Sequence, residues 1–359
     1  MKQLTIDDLE NLSLGSAVLG SGGGGDPSYA LLMTKFLIEK YGPINIISVE
    51  ELQEDDLIVP LSMMGAPLIN MERLLSGREL DNLLQTIEGR LQRKPTVLMA
   101  AEMGGANAFT PLIIAAKSRL PVLDADMIGR AFPELQMSSC YLKKLKATPA
   151  VMADCLGNTA VIEASDAKTL ERIARSITVS MGSSSAVGFY LMGGAEVPGA
   201  VVAGTLTQAL ELGEAITKAR KEGIDPIQAL IHRSGATLID KGTLIEINQA
   251  VTDGFLQGSV AILNENKKVK IFYQNEYLLT KSGDNILAST PDLLVLLEEN
   301  SGTPLTSEAL RYGLQVVLIA IPAPEIWQTV EGLELVGPRV FGYDIDYQPI
   351  SQLTMNLLR

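Results

Sequence analysis

Four acidic residues and one arginine are the side chains of this sequence best suited to catalysis. Glu102 follows one short apolar run, and Asp124, Asp126, Arg130 and Glu134 follow the next. The two aspartates of an Asp-x-Asp pair lie on the same side of an extended segment. Burial or a neighbouring acid raises the pKa of a carboxyl group, so one acid can act as a general base toward water. Arg130 can bind a carboxylate or neutralise an oxyanion.

The same residues also allow structural roles. Asp124 or Asp126 can cap a helix that begins near Met127, and Arg130 with Glu134 is an i,i+4 pair if that helix continues. Asp-x-Asp with a glutamate can also hold a divalent metal through oxygen ligands. We favour a catalytic role because the acids coincide with glycines at the expected ligand-binding edge of a sheet. No cofactor is expected, and a divalent metal is left open.

A glycine-rich run, Gly20-Ser21-Gly22-Gly23-Gly24-Gly25, leads directly into Asp26 and Pro27. Asp26 can cap a helix, Pro27 suits its first turn, and helical spacing follows. The run therefore predicts a loop before a helix N-terminus, where an anion or a carbonyl oxygen can bind. A tight connection between two packed helices is the alternative. Neither phosphate-binding fingerprint fits, because no Gly-Lys-Ser/Thr ending and no clear strand accompany the glycines.

Composition limits the classes of function. The chain has 359 residues, 47% of them hydrophobic and 20% charged, which is enough for two domains with cores of their own. A net charge of -13 argues against nucleic acids and anionic membranes as partners. The first residues include acids where a signal peptide would be apolar, and no apolar run is long enough to span a membrane. We therefore expect a cytoplasmic protein.

Histidine and cysteine offer little chemistry here. One histidine, His232, cannot build a multi-histidine metal centre, and it lies near the end of a predicted helix. Cys140 and Cys155 do not form a disulfide framework, and the only local basic partners are Lys143 and Lys144. Both thiols are interpreted as structural. Carboxylates, backbone amides and an arginine remain as the groups for catalysis.

The first half of the chain alternates between strand and helix. Strands are predicted at 44–49, 57–61, 96–101 and 120–123, and helices at 79–91 and 109–118. This alternation predicts a largely parallel sheet covered by helices, with its ligand crevice at the carboxyl ends of the strands. The loops 62–67, 102–107 and 124–134 fall at that edge. They contain the candidate ligand-binding residues Met64, Gly65, Gly104, Gly105 and Asn107.

The second half changes character. Helical patterns occupy 169–233, and short strands separated by Gly, Asn, Asp and Pro follow up to residue 347, which predicts an antiparallel sandwich or barrel. We place one domain at 1–168, with the glycine-rich loop, and a second at 169–359, helical over 169–233 and β-rich over 234–347. Gln274-Asn275-Glu276 lies between two strands, either as a polar turn or reaching across the domain cleft.

Several motifs together resemble the S-methyl-thiohydantoin desulfurase family, formerly catalogued as uncharacterised hydantoin-utilisation proteins. They span nearly the whole chain: Gly20 to Pro27, Met63-Met64-Gly65-Ala66-Pro67, Glu102-Met103-Gly104-Gly105 with Asn107, Asp124-Ala125-Asp126 through Met137, Gly194-Ala195-Glu196-Val197, Asp253-Gly254-Phe255, Gln274-Asn275-Glu276, Thr290-Pro291-Asp292, Leu310-Arg311-Tyr312-Gly313, and Gly337-Pro338-Arg339 with Phe341-Gly342-Tyr343-Asp344. Met127-Ile128 departs from the smaller pair expected there.

The resemblance implies a three-layer α/β N-terminal domain, a β-rich C-terminal domain and hydrolytic loss of methanethiol from an S-methyl-thiohydantoin. Catalysis is assigned to Glu102, Asp124, Asp126, Arg130 and Glu134, and substrate binding to Gly22, Gly23, Gly24, Gly25, Met64, Gly65, Gly104, Gly105, Asn107, Gln274 and Asn275. Relatives are associated with hydantoinase or oxoprolinase subunits. The alternative is therefore a non-catalytic partner subunit, which should expose a large apolar patch. A homo-oligomer is also expected.

Overall fold

The computed structural model of the chain describes residues 2–65, 69, 74–252, 254–265 and 267–357. The motif residues Ala66, Pro67 and Asp253 lie outside them. The strands are β1 (Lys2–Leu4), β2 (Ile44–Ile47), β3 (Leu57–Gly65), β4 (Val97–Ala100), β5 (Val122–Leu123), β6 (Ala125–Asp126), β7 (Ala150–Ala153), β8 (Thr159–Ile162), β9 (Ser184–Gly188), β10 (Met192–Gly193), β11 (Val202–Ala203), β12 (Thr237–Thr252), β13 (Phe255–Asn264), β14 (Lys267–Gln274), β15 (Glu276–Ser282), β16 (Asn285–Ser289), β17 (Leu293–Glu298) and β18 (Gln315–Ile321).

Helices connect and cover these strands. The α-helices are α1 (Leu9–Gly20), α2 (Ser28–Tyr41), α3 (Arg78–Leu91), α4 (Thr110–Ser118), α5 (Ser139–Leu142), α6 (Ala167–Ser180), α7 (Thr205–Glu222), α8 (Pro226–Ser234), α9 (Val330–Val336) and α10 (Ile350–Leu357). Short 3₁₀ helices occupy Ile6–Asp8, Val49–Glu51, Gly105–Phe109, Gly194–Glu196, Ser307–Ala309, Glu325–Gln328 and Pro338–Phe341. In the part of the chain described, no helix is both long and apolar enough to cross a membrane.

The first sheet is mixed rather than largely parallel. Its order is β1-β2-β5-β4-β3-β9-β7-β8, and β10 pairs with the start of β3. Only the central strands β2, β5, β4 and β3 run parallel, and the flanking strands are antiparallel. The four predicted strands are thus parallel as expected, but the prediction of a largely parallel sheet was wrong because antiparallel strands flank them. A short turn joins β7 to β8, and such a turn permits only antiparallel pairing of these two strands.

Helices cover both faces of this sheet, which confirms the α/β class. Along β3, Val59 and Leu61 point into one core and Ile58 into the other, as the two-residue period of a strand requires. The first core also contains residues of α1, α2, α3, α4 and α7, and the second contains residues of α6. The sheet thus lies between two helical layers.

The second sheet forms an antiparallel half-barrel, which confirms the prediction of a β-rich C-terminal domain. Its order is β16-β15-β14-β13-β12-β18-β17, and every pair is antiparallel. Helices α1 and α7 share a core with β17 and β18, so the helical layer joins the two sheets. The predicted boundary at residue 168 stays a prediction. Strands β9 and β10, which follow that boundary, belong to the first sheet.

Candidate functional site

A small cavity lies at the carboxyl ends of β3 and β4. Its volume is about 80 Å³, counted as the space that the centre of a water-sized sphere can reach. At about 10–15 Å³ for each water molecule, this space suits a small organic ring. The predicted residues in its wall are Gly24, Gly25, Met64, Gly65, Glu102, Asn107, Glu134 and Asn275. The cavity therefore occupies the edge of the sheet where the sequence predicts the ligand crevice.

Other predicted residues lie outside this wall. They are Gly22, Gly23, Gly104, Gly105, Asp124, Asp126, Arg130 and Gln274. The wall also contains residues that were not assigned to the site from the sequence, among them Ser62, Phe132, Arg175, Phe189 and Glu276.

Glu102 lies two residues after the end of β4 and is buried in the cavity wall. Its Oε1 accepts a hydrogen bond from Nδ2 of Asn107 at 2.5 Å, and Oδ1 of Asn107 accepts one from the backbone N–H of Met63 at 2.9 Å. The Met63 contact therefore fixes which end of the amide faces Glu102. Burial raises the pKa of Glu102 to about 8, and the Asn107 hydrogen bond opposes that rise.

Glu276 is a second buried carboxyl group in the same wall. It lies in a motif noted in the sequence, but only its neighbours Gln274 and Asn275 were assigned to substrate binding. It begins β15 directly after Asn275, which has a φ of 57° and completes the tight turn from β14. Burial, and then the nearby Glu102, raise the pKa of Glu276 well above its ordinary value. Its Oε2 is buried without a hydrogen-bond partner among the described residues. The two carboxyl groups therefore compete for ionisation in one site.

Arg130 lies behind the cavity wall rather than in it. It is fully buried, and its Nη1 donates to the backbone oxygens of Pro291 at 2.5 Å and Asp292 at 3.0 Å. Its guanidinium carbon is 4.4 Å from the ring centroid of Phe132, which does line the cavity. Burial lowers the pKa of Arg130 to about 10, whereas Glu276 and other acids oppose this change. Arg130 therefore supplies positive charge near the carboxyl pair while holding the second sheet.

The glycine-rich loop provides close packing more than an open ligand site. A methyl group on Gly23 would lie 1.9 Å from Oε1 of Glu276, and one on Gly22 would lie 2.5 Å from the ring of Tyr277. A methyl group on Gly24 would lie 2.3 Å from the backbone oxygen of Gly104. The loop is therefore pressed against the β14–β15 turn and against the segment after Glu102. Within the loop, Gly24 and Gly25 line the cavity.

Both aspartates of the Asp-x-Asp pair bind backbone and hydroxyl groups outside the cavity. Asp126 accepts hydrogen bonds from the N–H groups of Met103 at 2.6 Å, Gly129 at 2.7 Å and Ile128 at 3.2 Å. Burial raises the pKa of Asp126 to about 7, and these three donors oppose that rise. Both carboxylate oxygens are thus occupied in fixing the loop that follows β6.

Asp124 accepts hydrogen bonds from the N–H and the hydroxyl of Thr207, at 3.0 and 2.5 Å. It therefore caps the first turn of α7, a helix distant in sequence. Residues 127–138, all of them described, contain no helix, so the i,i+4 arrangement of Arg130 and Glu134 does not form. The sequence predicted that Asp124 could cap a helix beginning near Met127. It instead caps α7, which a local pattern could not indicate.

The far wall contains Glu134 and Arg175. Glu134 accepts a hydrogen bond from Nε2 of Gln136. Arg175 donates to Oε1 of Glu171 at 2.7 Å and to the backbone oxygen of Pro133 at 3.1 Å, and it stacks 4.3 Å from the ring centroid of Phe255. Arg175 was missed because its helix, α6, carries no motif.

Neither metal ligation nor a reactive thiol is apparent in the described ranges. No group of three or more His, Cys, Asp or Glu residues there is arranged to hold a metal ion. Cys140 is buried, its Sγ donates to the backbone oxygen of Ala200 at 3.3 Å, and burial raises its pKa to about 12. That environment fits a structural thiol. Cys155 is half-buried.

Comparisons with known proteins agree with this architecture. The "S-Me-THD-like, N-terminal domain" family model matches residues 7–164, and the "S-Me-THD-like, C-terminal domain" model matches residues 164–350. A crystal structure of a protein from Chromobacterium violaceum superposes with a TM-score of 0.81 at 24% identity, over 98% of this chain and 100% of that one. That likeness shows the fold. No curated protein matches. Because the two models together cover most of its length, the chain belongs to the S-Me-THD-like family, the S-methyl-thiohydantoin desulfurase family that its motifs resemble.

Proposed function

We propose that this protein is a hydrolase that releases methanethiol from an S-methyl-thiohydantoin by attack of water on a hydantoin-like ring. The observation that carries the proposal is the pair of buried carboxyl groups, Glu102 and Glu276, in the wall of one small cavity. Two carboxyl groups in one site, only one of them ionised, supply a base and an acid at the same pH. Membership of the family supports the choice of substrate.

The charges of the site support separate roles for the two acids. Glu102 raises the pKa of Glu276, so an ionised Glu102 favours a proton on Glu276. Glu102 accepts a hydrogen bond from Asn107, and such a bond stabilises the ionised form. Oε2 of Glu276 has no partner among the described residues. We therefore assign the base to Glu102 and the proton donor to Glu276.

The reaction then balances within the site. Glu102 takes a proton from water as the oxygen bonds to the ring carbon that carries sulfur, and Glu276 donates to the ring nitrogen on which charge develops. The carbon–sulfur bond breaks with its electron pair on sulfur. The thiolate takes up the proton held by Glu102, and the hydroxyl proton passes to Glu276 as the new carbonyl forms. The apolar wall residues Met64, Val187 and Phe189 offer a surface for the methylthio group.

One observation favours the accessory-subunit alternative. The side chains of Leu32 and Phe36 on α2 are 62% and 61% exposed, and Tyr29 on the same face is 37% exposed. Exposed apolar residues at this spacing are suited to contact with another chain. A homo-oligomer or a hydantoinase-type subunit would each use such a face. Activity of the isolated chain separates the catalytic proposal from the accessory one.

The decisive experiment is methanethiol release by the purified protein, followed with a thiol-reactive dye, with and without a chelator. The wild-type protein and Asp124→Asn should release the thiol, because Asp124 lies outside the cavity and the amide oxygen of Asn can still accept from the N–H of Thr207. Glu102→Gln should not. No release from well-folded wild-type protein would refute the catalytic proposal and favour the accessory one. Loss of activity with a chelator would reopen the question of a metal.

A further inference from the structure

We infer that the same cavity also hydrolyses cyclic guanidines, in which a nitrogen replaces the methylthio group on the reacting carbon, and that it releases ammonia from them. This inference rests on the proposed function. It concerns the leaving group, and it is carried by the presence of two carboxyl groups, Glu102 and Glu276, in one small cavity.

The two leaving groups place different demands on a site. A thiolate departs as an anion and needs no proton before its bond breaks. An exocyclic imino nitrogen must collect two protons before it leaves as ammonia, because an amide anion does not leave in water. In methanethiol release the proton of Glu276 goes to a ring nitrogen and sulfur leaves unprotonated, whereas in deamination both carboxyl groups must deliver protons to the leaving nitrogen.

The geometry supplies these two groups. Glu276 is fixed over Gly23, where a methyl group would lie 1.9 Å from its Oε1, and its Oε2 is buried without a partner among the described residues. Glu102 is held from the side of the first sheet by Asn107. The carboxyl groups thus approach the cavity from different sheets, and Arg130 and Arg175 both act on Glu276 as positive charges. Glu102 raises the pKa of Glu276, so an ionised Glu102 favours a proton on Glu276.

The deamination step conserves atoms, protons and electrons. Glu102 takes a proton from water while the oxygen bonds to carbon, and Glu276 gives its proton to the imino nitrogen. The nitrogen then takes up the proton from Glu102, and the carbon–nitrogen bond breaks with its electron pair on nitrogen. The proton of the carbon-bound hydroxyl passes to Glu276 as the carbonyl forms. Water and the cyclic guanidine become the hydantoin and ammonia, and both carboxyl groups return to their starting states.

The test compares two probes on the same preparation: an S-methyl-thiohydantoin, followed by methanethiol release, and glycocyamidine, followed by ammonia in a coupled assay. We expect the wild-type protein to release both products. Methanethiol without ammonia would overturn this inference and leave the proposed function intact. Release of neither product would overturn both.

A variant sharpens the comparison. Glu276→Gln retains an amide that can hydrogen-bond to the ring nitrogen but cannot transfer a proton. Ammonia release should fall by about 10²-fold or more, which is the usual contribution of a general acid, and methanethiol release should fall by less, because sulfur leaves without a proton. The ratio of ammonia to methanethiol should therefore decrease. An unchanged ratio would contradict the assignment of Glu276 as the donor to nitrogen. Should this variant not fold, the wild-type comparison alone decides.

Discussion

The substitution Gly23→Ala tests whether the glycine-rich loop exists to accommodate Glu276. A methyl group on Gly23 would lie 1.9 Å from Oε1, 2.5 Å from Cδ and 2.8 Å from Cγ of Glu276, and these are its three nearest atoms. Gly23 is not among the residues with positive φ, so alanine adds no backbone strain there. The substitution therefore acts on one side chain, and that side chain must move.

The expected cost follows from this single overlap. Forcing extra volume into a packed region typically costs about 1–3 kcal/mol. When the overlapping side chain is removed, Gly→Ala at a compatible backbone position is neutral or stabilises by about 0.4–1 kcal/mol, because alanine restricts the unfolded chain. We therefore expect Gly23→Ala to destabilise the wild-type protein but not the Glu276→Ala protein, with a coupling of about 2–3 kcal/mol between the two sites.

Urea unfolding of the four proteins of this double-mutant cycle provides the measurement, from midpoints compared at equal slope. Gly25→Ala is a suitable control. Its methyl group would meet nothing closer than 3.8 Å, but its φ of 78° makes alanine unfavourable. That cost should be the same with and without Glu276. A Gly23→Ala cost that survives removal of Glu276 would refute the idea that Gly23 makes room for this side chain.

Three further predictions concern the acids and the buried thiol. Because burial raises the pKa of Glu102 to about 8 and the base must be ionised, methanethiol release should increase as pH rises through about 8, as a pH–rate profile would reveal. A profile that falls over this range would contradict the assignment. Asp124→Ala should lower stability by about 1 kcal/mol in urea unfolding, through loss of the cap on Thr207, and retain activity. Cys140→Ala should release methanethiol as the wild-type protein does, because burial raises the pKa of Cys140 to about 12 and a thiol in that state is not a nucleophile. The thiol-reactive dye measures this release.

The fold was largely accessible from the sequence because its signals are local. Alternating strand and helix patterns located β2, β3, β4 and β5, and regularly spaced short strands predicted the second, antiparallel sheet. What failed was the flank of the first sheet, because β7, β8 and β9 were not predicted as strands. Strand β9 is buried along its whole length, but its five residues, two serines, an alanine, a valine and a glycine, lack the apolar and β-branched pattern that marks a strand.

The site could be predicted only in part, because some of its contacts join residues that are far apart in the sequence. Glu102 and Asn107 were identified because they follow a strand at a predictable edge, and they lie five residues apart. Glu276 meets Gly23 from more than 250 positions away in sequence, so no local pattern could join them. Asp126 was predicted to be catalytic, but it lies outside the cavity wall. Three backbone N–H groups from nearby residues donate to its carboxylate, and the sequence pattern does not reveal these contacts.

The glycine-rich loop and the buried Glu276 are therefore explained together, since the loop leaves room for this side chain. A run of glycine next to a helix N-terminus is typical of anion binding. In this loop, however, Glu276, Tyr277 and the backbone of Gly104 occupy the space that side chains at Gly23, Gly22 and Gly24 would need. Tyr277 donates its N–H to the oxygen of Ser21 at 2.7 Å, and this bond holds the turn of the second sheet against the loop. The loop thus brings an acid from one sheet to an acid at the edge of the other, and a chain with bulkier residues at these positions could not assemble the pair.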